Sequence, residues 1–418
     1  MVNMNNFFNP RTVAIIGASD HVEKVGGILL KKALASKLEV IPINISHDSL
    51  FGKKCFKSVL DYSGNIDLAV IAIPAEFVVK ALEECGKKDI KNVVLISAGF
   101  SEVNNKKGVE DIVKIADKYG IRFLGSNCFG TCNPSKNLDL TFANSMSREG
   151  DIAFISQSGA LWSYIADLKD VGVSSFVSLG NMENMDFDDF IEYFGKDGMT
   201  KSIVLYVEKL KNGKRFLEVC KRAIKNGKRI YAIKGGSSDA GEKAAISHTA
   251  SLASDYAIYK GAFRQAGVEM CENFLEMFER ASGRKMNIKS KGVKIGRSAF
   301  IITNAGGAGV LLSDYLTRRN IKIVDKSLDI IGTALAEDYM RNFNEIKNKP
   351  FETLFVILTP QSMSEMEKTA DKIVSMKKEL VRMKKNVVAV FLGDKSMKEA
   401  NKIFEKNDVE FVNGFGEI

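Results

Sequence analysis

The chain has no run of 18 or more apolar residues, so no segment is long enough to cross a bilayer as a helix. Its opening, MVNMNNFFNPRTVAIIGASD, lacks a basic start followed by an apolar core and a cleavage site. A secretory leader is therefore not expected, and a cytoplasmic protein is. Six cysteines, at 55, 85, 128, 132, 220 and 271, form no disulfide-framework pattern in 418 residues. Cys128 and Cys132 have no second pair to complete a zinc site, so free thiols are expected and metal ligands are not. Basic residues outnumber acidic ones, 60 to 51, but they are scattered and no nucleic-acid motif accompanies them. Solvated faces, or a general attraction for anionic small molecules or for a partner subunit, follow from that pattern, with neither nucleic acid nor membrane as partner. Histidine is scarce: three in the whole chain.

What is present is ordinary globular material, 45% hydrophobic and 27% charged, in a length that predicts two or three domains. The chain restarts three times with the same pattern: a β-branched apolar run, a glycine- or serine-rich turn, then a helical stretch. The starts are TVAIIGASD (12–20), GDIAFISQSGALWSY (150–164) and SAFIITNAGGAGVLLSDYL (298–316). Continuous apolar strands follow each start, separated by helical stretches, which predicts parallel sheets covered on both faces. The expected units are α/β domains at 1–140, 146–282 and 296–418, with a polar basic linker over 283–297 and a softer boundary near 135–149.

In such sheets the turn after the first strand opens a helix where ligands bind, and a helix start suits phosphate. The first turn, IIGASDHVEKVGG, is not G-x-G-x-x-G, and EVIPINIS ends in Asn44 and Ser46, with no acidic residue closing the strand to hold a ribose, which disfavours NAD and a dinucleotide oxidoreductase. A phosphate-bound nucleotide with Lys24 as counter-charge and a purely structural turn both fit it. The second turn places Ser156, Gln157, Ser158 and Gly159 at a strand-to-helix junction, and the third places Asn304, Gly306, Gly307 and Gly309 likewise. Each alone reads as a tight turn; two helix starts in adjacent domains can clamp one anion.

His248, in AAISHTASLAS, is then of interest. The small residues before it, KGGSSDAGEKAAIS, read as a mobile loop. An imidazole of near-neutral pKa is a competent nucleophile toward phosphoryl groups. Glu208 ends the strand SIVLYVE at the same sheet edge, where a carboxylate can orient one ring nitrogen and leave the other to react. His21 and His47 read as surface residues.

These stretches, with LGSNCFGTCNP, FVSLGNMENMDFDDFIEYF, IKGGSSDAGEKAAISHTASLAS and YKGAFRQAGV, resemble the α-subunit of NDP-forming acyl-CoA synthetases of the ADP-forming acetate–CoA ligase type, relatives of succinyl-CoA synthetase. The resemblance covers about the first 315 residues in order. It implies a Rossmann-like CoA-binding domain followed by two flavodoxin-like parallel-sheet domains. Gly17, Ala18, Ser19 and Lys24 would meet the CoA phosphates. Ile73, Pro74, Ser97, Ala98 and Gly99 would line the adenine and pantetheine path, with Asn127 near the thiol. His248 would carry phosphate, oriented by Glu208, with Ser158, Gly159, Gly306 and Gly307 as the two phosphate-binding helix starts. The implied reaction interconverts acyl-CoA, ADP and phosphate with acid, CoA and ATP through an acyl phosphate and a phosphohistidine. ADP/ATP with Mg²⁺ would sit mainly on a separate ATP-grasp β-subunit, in an α2β2 assembly, because no ATP-grasp stretch occurs in this chain.

The sequence departs from that pattern in four places. A Gly-Asn-Pro-Val-Asp loop expected in the third domain is missing from DIIGTALAEDYMRNFNEIKNKPFETLFVIL, which reads as shortened. PINIS replaces Pro-Asn-Pro-Lys, Ala308 stands where proline is common, and Lys209 replaces glycine after Glu208. The first departure favours the alternative of a catalytically weakened CoA- or acyl-CoA-binding regulatory homologue. The retention of both His248 and Glu208 favours an enzyme.

Overall fold

The apolar runs of the sequence become short strands whose residues are buried on both faces, as a parallel sheet under two helical layers requires. A computed structural model describes residues 3–249, 256–286 and 292–415, with the side chains of 246–249 outside the described set. Part of the linker expected at 283–297 also falls outside the described residues.

The first sheet contains β1 (Thr12–Ile16) and β2 (Glu39–Ile43). A small hairpin of β3 (Ser49–Leu50) and β4 (Lys53–Lys54) follows. The sheet then takes β5 (Leu68–Ile71), β6 (Asn92–Leu95) and β7 (Arg122–Gly125), in the order β2-β1-β5-β6-β7, every pair parallel.

The second sheet begins with β8 (Gly130–Asn133) and β9 (Leu138–Thr141), then β10 (Arg148–Ser156), β11 (Gly172–Ser178), β12 (Ser202–Val207), β13 (Arg229–Lys234) and β14 (Glu269–Met270). Its order is β14-β13-β12-β10-β11-β8-β9. The third holds β15 (Ser298–Thr303), β16 (Lys322–Ile323), β17 (Leu328–Asp329), β18 (Thr353–Leu358), β19 (Asn386–Phe391) and β20 (Glu410–Val412). Its order is β16-β15-β18-β19-β20, with β17 also paired to β15.

The three-unit α/β reading thus agrees with three sheets, with one correction. Residues 130–141, placed at the end of the first unit, form an antiparallel hairpin whose strand β8 pairs with β11, so they extend the second sheet. The soft boundary at 135–149 therefore falls inside that sheet. Turn residues at 134–137 look like a boundary from sequence, but Pro134–Lys136 is one 3-10 turn and Asn137, at φ 51°, closes it in the left-handed region.

The cores are continuous across the units. Phe7 and Phe8 of the opening FF pair pack on Phe190 at 6.1 Å, and Phe8 also on Tyr193 at 5.1 Å and Phe194 at 5.0 Å between centroids, fastening the start of the chain to the second unit. A second cluster joins Trp162, Tyr164 and Phe274 of the second unit to Ile301, Leu312 and Phe355 of the third. Shared cores of this kind fix the sheets' carboxyl edges relative to one another.

Candidate active site

Each sheet has one place where strand order reverses: between β1 and β5, between β10 and β12, and between β15 and β18. A crevice opens beyond the strand ends there, and it is the favoured ligand site of open α/β sheets. The residues just past those strands converge on one cavity of about 800 Å³. Ile73, Pro74, Ser97, Ala98, Gly99 and Asn127 line it from the first sheet, Ser158, Gly159 and Glu208 from the second, and Gly306 from the third. The structure therefore gathers ten of the residues singled out from sequence around a single space.

Of the first turn only Val25 lines this cavity; Gly17, Ala18, Ser19 and Lys24 stand outside its lining. Gly17 has φ +93°, and a Cβ there would lie 2.3 Å from the Ala72 carbonyl oxygen and 2.7 Å from Ile73 Cγ2. A Cβ on Gly26 would meet the Gly17 carbonyl oxygen at 1.9 Å, so glycine at both positions lets the helix Val25–Leu34 start hard against the turn. Ala18 is buried, Ser19 Oγ accepts from the His21 N–H at 3.1 Å, and Lys24 is exposed at the helix start. Asn44, at the departed PINIS stretch, donates to the Ala18 carbonyl at 2.8 Å and so buttresses the turn from behind.

In the lining itself, Ser97 Oγ accepts from the Ile73 N–H at 3.1 Å and donates to its carbonyl at 2.6 Å, tying two lining loops together. Asn127 takes φ 49°, held by its N–H to the Ser97 carbonyl at 3.0 Å. Cys128 also lines the cavity, but its thiol donates to the Leu95 carbonyl at 3.3 Å, and burial pushes its pKa up to about 12. A thiol so placed stays neutral and is no nucleophile.

The phosphate end is built from two helix starts. Gly159 precedes the helix Ala160–Asp167, and Ala305 precedes the helix Gly306–Arg318. A Cβ on Gly307 would lie 2.5 Å from Ser158 Oγ, so Gly307 serves to let the two starts touch and does not itself line the cavity. Free N–H groups and the positive helix ends then face one space from two sides.

Glu208 is 8% exposed, and its Oε1 has no hydrogen-bond partner among the described residues. Its own N–H and that of Lys209 both donate to Gln157 Oε1, at 2.6 and 2.8 Å. A buried carboxylate oxygen without a donor is costly, and it marks a place where a ligand or a donor side chain belongs. Gln361 Oε1, also in the lining, is a second such acceptor among the described residues. Buried Lys234 ends the strand paired to that of Glu208, Val207 lying opposite it; burial lowers its pKa, opposed by Glu208, Asp314 and Glu242.

Two expectations need correction. The small-residue stretch before His248, read as a mobile loop, is helical over Asp239–Thr249 and carries the His248 backbone in its last turn. Ala240, Ala244 and Ala245 are strong helix formers, Asp239 and Glu242 suit the first turn, and Ser238 caps it through Oγ to the Gly241 N–H at 3.1 Å. The His248 side chain lies outside the described residues. Second, the third unit, read as shortened around 329–358, still reaches the cavity. Asp329, Ile331, Gly332 and Thr333 line it, because β17 pairs with β15 and Ile330 N–H bonds to the Thr303 carbonyl at 2.8 Å.

Residues that sequence reasoning missed are Glu102, Asn181 and Gln361 in the lining, and the buttressing role of Gln157. Asn181 donates to Glu102 at 2.6 Å and to Ser126 Oγ at 3.0 Å, bridging the first two units. No spacing signal marks Asn181, since these partners lie 79 and 55 residues away.

Comparison with known proteins agrees with this geometry. Residues 11–134 match the model of a CoA binding domain, and residues 149–283 that of a succinyl-CoA ligase like flavodoxin domain. The α-subunit of acetate–CoA ligase [ADP-forming] II from Pyrococcus furiosus is 37% identical, over 97% of this chain and 93% of that one. Acetate–CoA ligase [ADP-forming] from Methanocaldococcus jannaschii is 42% identical over 78% of this chain, which spans about half, 49%, of that longer protein. A solved structure of a dinucleotide-forming acetyl-coenzyme A synthetase 1 from Ca. Korarchaeum cryptofilum, in complex with phosphate and ADP, superposes with a TM-score of 0.65 at 31% identity. That match covers 99% of this chain and 94% of the other.

Proposed function

The chain belongs to the ADP-forming acetate–CoA ligase family, as an α-type subunit of an acyl-CoA ligase, and from that premise we propose how its residues divide the reaction. The matches favour a ligase over a regulatory CoA-binding homologue. CoA enters along Ile73, Pro74 and Ser97 to Gly99, with its phosphates toward the first turn and Lys24 and its thiol toward Asn127. In the ATP-forming direction, phosphate attacks the acyl carbonyl of acyl-CoA; the thioester bond breaks, and acyl phosphate and CoA form. His248 then attacks phosphorus, and the acid leaves with the bridging oxygen.

The observation that carries this reading is the unpartnered Oε1 of buried Glu208, standing beside two helix starts that meet through Gly307 and Ser158. An imidazole N–H donated to that oxygen completes its bonding and steadies the charge of a phosphoimidazole. The paired helix starts stabilise phosphoryl oxygens with fixed dipoles, which is what phosphoryl transfer demands of a protein. ADP and Mg²⁺ bind on an ATP-grasp β-subunit, to which His248 delivers phosphate, and the working assembly is α2β2 in the cytoplasm. That two relatives are themselves named as α-subunits supports a separate partner.

The test is labelling with acetyl-CoA and radioactive phosphate. Acid-labile, base-stable label on the wild type, absent from His248→Ala, is the expected result. Full labelling of the variant would end the phosphohistidine reading.

A further inference from the structure

Asp314 lies on the third unit's helix Gly306–Arg318, two turns beyond the glycine start that faces the cavity, and is 1% exposed. Both its oxygens are used, and among the described residues its hydrogen-bonding partners all come from the stretch that opens the histidine-bearing helix. Oδ2 accepts from the N–H groups of Gly236 and Ser237, each at 2.9 Å. Oδ1 accepts from Ser238 N–H at 2.8 Å and from Ser238 Oγ at 2.7 Å. A carboxylate at a helix N-terminus is favoured by the exposed N–H groups and the helix dipole, and these donors offset its burial. Gly241 shows how close the joint is: a Cβ there would stand 1.9 Å from Asp314 Oδ1.

Geometry carries the rest. The histidine-bearing helix packs along the Gly306–Arg318 helix, and it also touches the 3-10 turn Ser101–Val103, whose Glu102 and Val103 line the cavity. From Asp239 to His248 the helix rises about 13–14 Å, and from Asp314 back to Gly306 about 12 Å. A helix rooted at Asp314 and running toward the cavity therefore brings the His248 backbone level with the Gly306 helix start.

We propose that Asp314 is the positioning residue of the phosphoryl relay: it anchors the root of the histidine-bearing helix to the same rigid helix that offers the phosphate-binding start. This rests on the reading of His248 as the phosphorylated residue. One helix thereby sets both the nucleophile and the anion site, and the third unit, which supplies no group to the chemistry beyond that start and the lining loop, becomes necessary for reaction distance. Phosphoryl transfer is sensitive to misplacement of this kind, a shift of 1 Å costing up to about 10²-fold.

The experiment measures single-turnover labelling of the full chain by acetyl-CoA and radioactive phosphate, beside CoA affinity and amide hydrogen exchange. Asp314→Asn, which keeps one acceptor oxygen, is expected to slow labelling about tenfold, and Asp314→Ala on the order of 10²-fold. CoA affinity stays within about twofold, because the joint does not touch the CoA path. Exchange rises at 236–245 but not in β15, whereas a general loss of structure would raise both. Gly241→Ala, which keeps the carboxylate but forces the helix away, slows labelling comparably and adds little in combination with Asp314→Asn. Wild-type labelling rates in folded Asp314→Ala would overturn the proposal. Should that variant fail to fold, a wild-type rate in Gly241→Ala does so instead. Label that survives His248→Ala defeats the phosphohistidine reading itself, whereas label lost there but unaffected by Asp314→Ala and Gly241→Ala defeats only the anchor.

Discussion

Two of the carboxylates buried in the second unit, Asp167 and Glu208, are partnered in opposite ways. Asp167, at the end of the helix Ala160–Asp167, accepts from Ser145 Oγ, Ser396 Oγ, and the N–H groups of Asp394 and Ser396, at 2.7 to 2.9 Å. Glu208 has an oxygen with no partner among the described residues. A carboxylate saturated by protein donors has nothing left to offer a ligand, so Asp167 reads as a clasp between the second and third units. An acceptor left open inside a cavity costs stability that only a bound or approaching donor restores. Saturation, more than burial or charge, separates the architectural acid from the working one.

That contrast can be broken from either side. The largest effect is expected on stability: Asp167→Ala strands four half-buried donors and should lower unfolding free energy by about 3 kcal/mol in a denaturant titration. Its labelling rate, measured where the protein is folded, should stay near that of the wild type; a loss matching that of a Glu208 change would dissolve the distinction. Glu208→Gln should do the reverse, lowering His248 labelling on the order of 10²-fold while unfolding shifts by less than about 1 kcal/mol. Equal destabilisation by both changes would mean that Glu208 is structural too. Gly307→Ala probes the wall facing Glu208, since its Cβ must push Ser158 from 2.5 Å, and a loss of about tenfold in labelling is expected with CoA affinity retained. Cys128 gives the smallest effect. Its thiol is neutral up to about pH 12, so alkylation of the folded protein at pH 8 should be negligible, and rapid modification would show that the cavity wall opens.

Much of the site was legible because its residues sit at strand ends, which apolar runs locate, followed by turn residues of distinctive composition. Ser158, Gly159 and Gly306 were found that way, as was Glu208 as the acidic stop of an apolar strand. Gly307 was assigned to phosphate, and the steric reason for a glycine there is visible only when Ser158 is placed against it. The helix before His248 was misread as loop because alanine and serine satisfy both descriptions, and Asp314, which holds the capping Ser238, comes from 76 residues away. Residues 130–141 were placed by sequence within the first unit, and their pairing with the second sheet is a long-range contact that turn composition does not record.

The order of apolar strands, the three glycine-rich turns and the SHTASLA stretch by themselves determined the class of fold, the family and the side chains available for chemistry. Periodicity and turn composition are local properties, and a local reading suffices for them. Tertiary structure alone decided that three switch points share one cavity, that Glu208 keeps an open oxygen while Asp167 keeps none, and that the histidine-bearing helix is rooted on the third unit. Those outcomes depend on packing between distant segments, where a hydrogen-bond donor is present or missing according to how whole sheets dock, and no neighbouring residue records it.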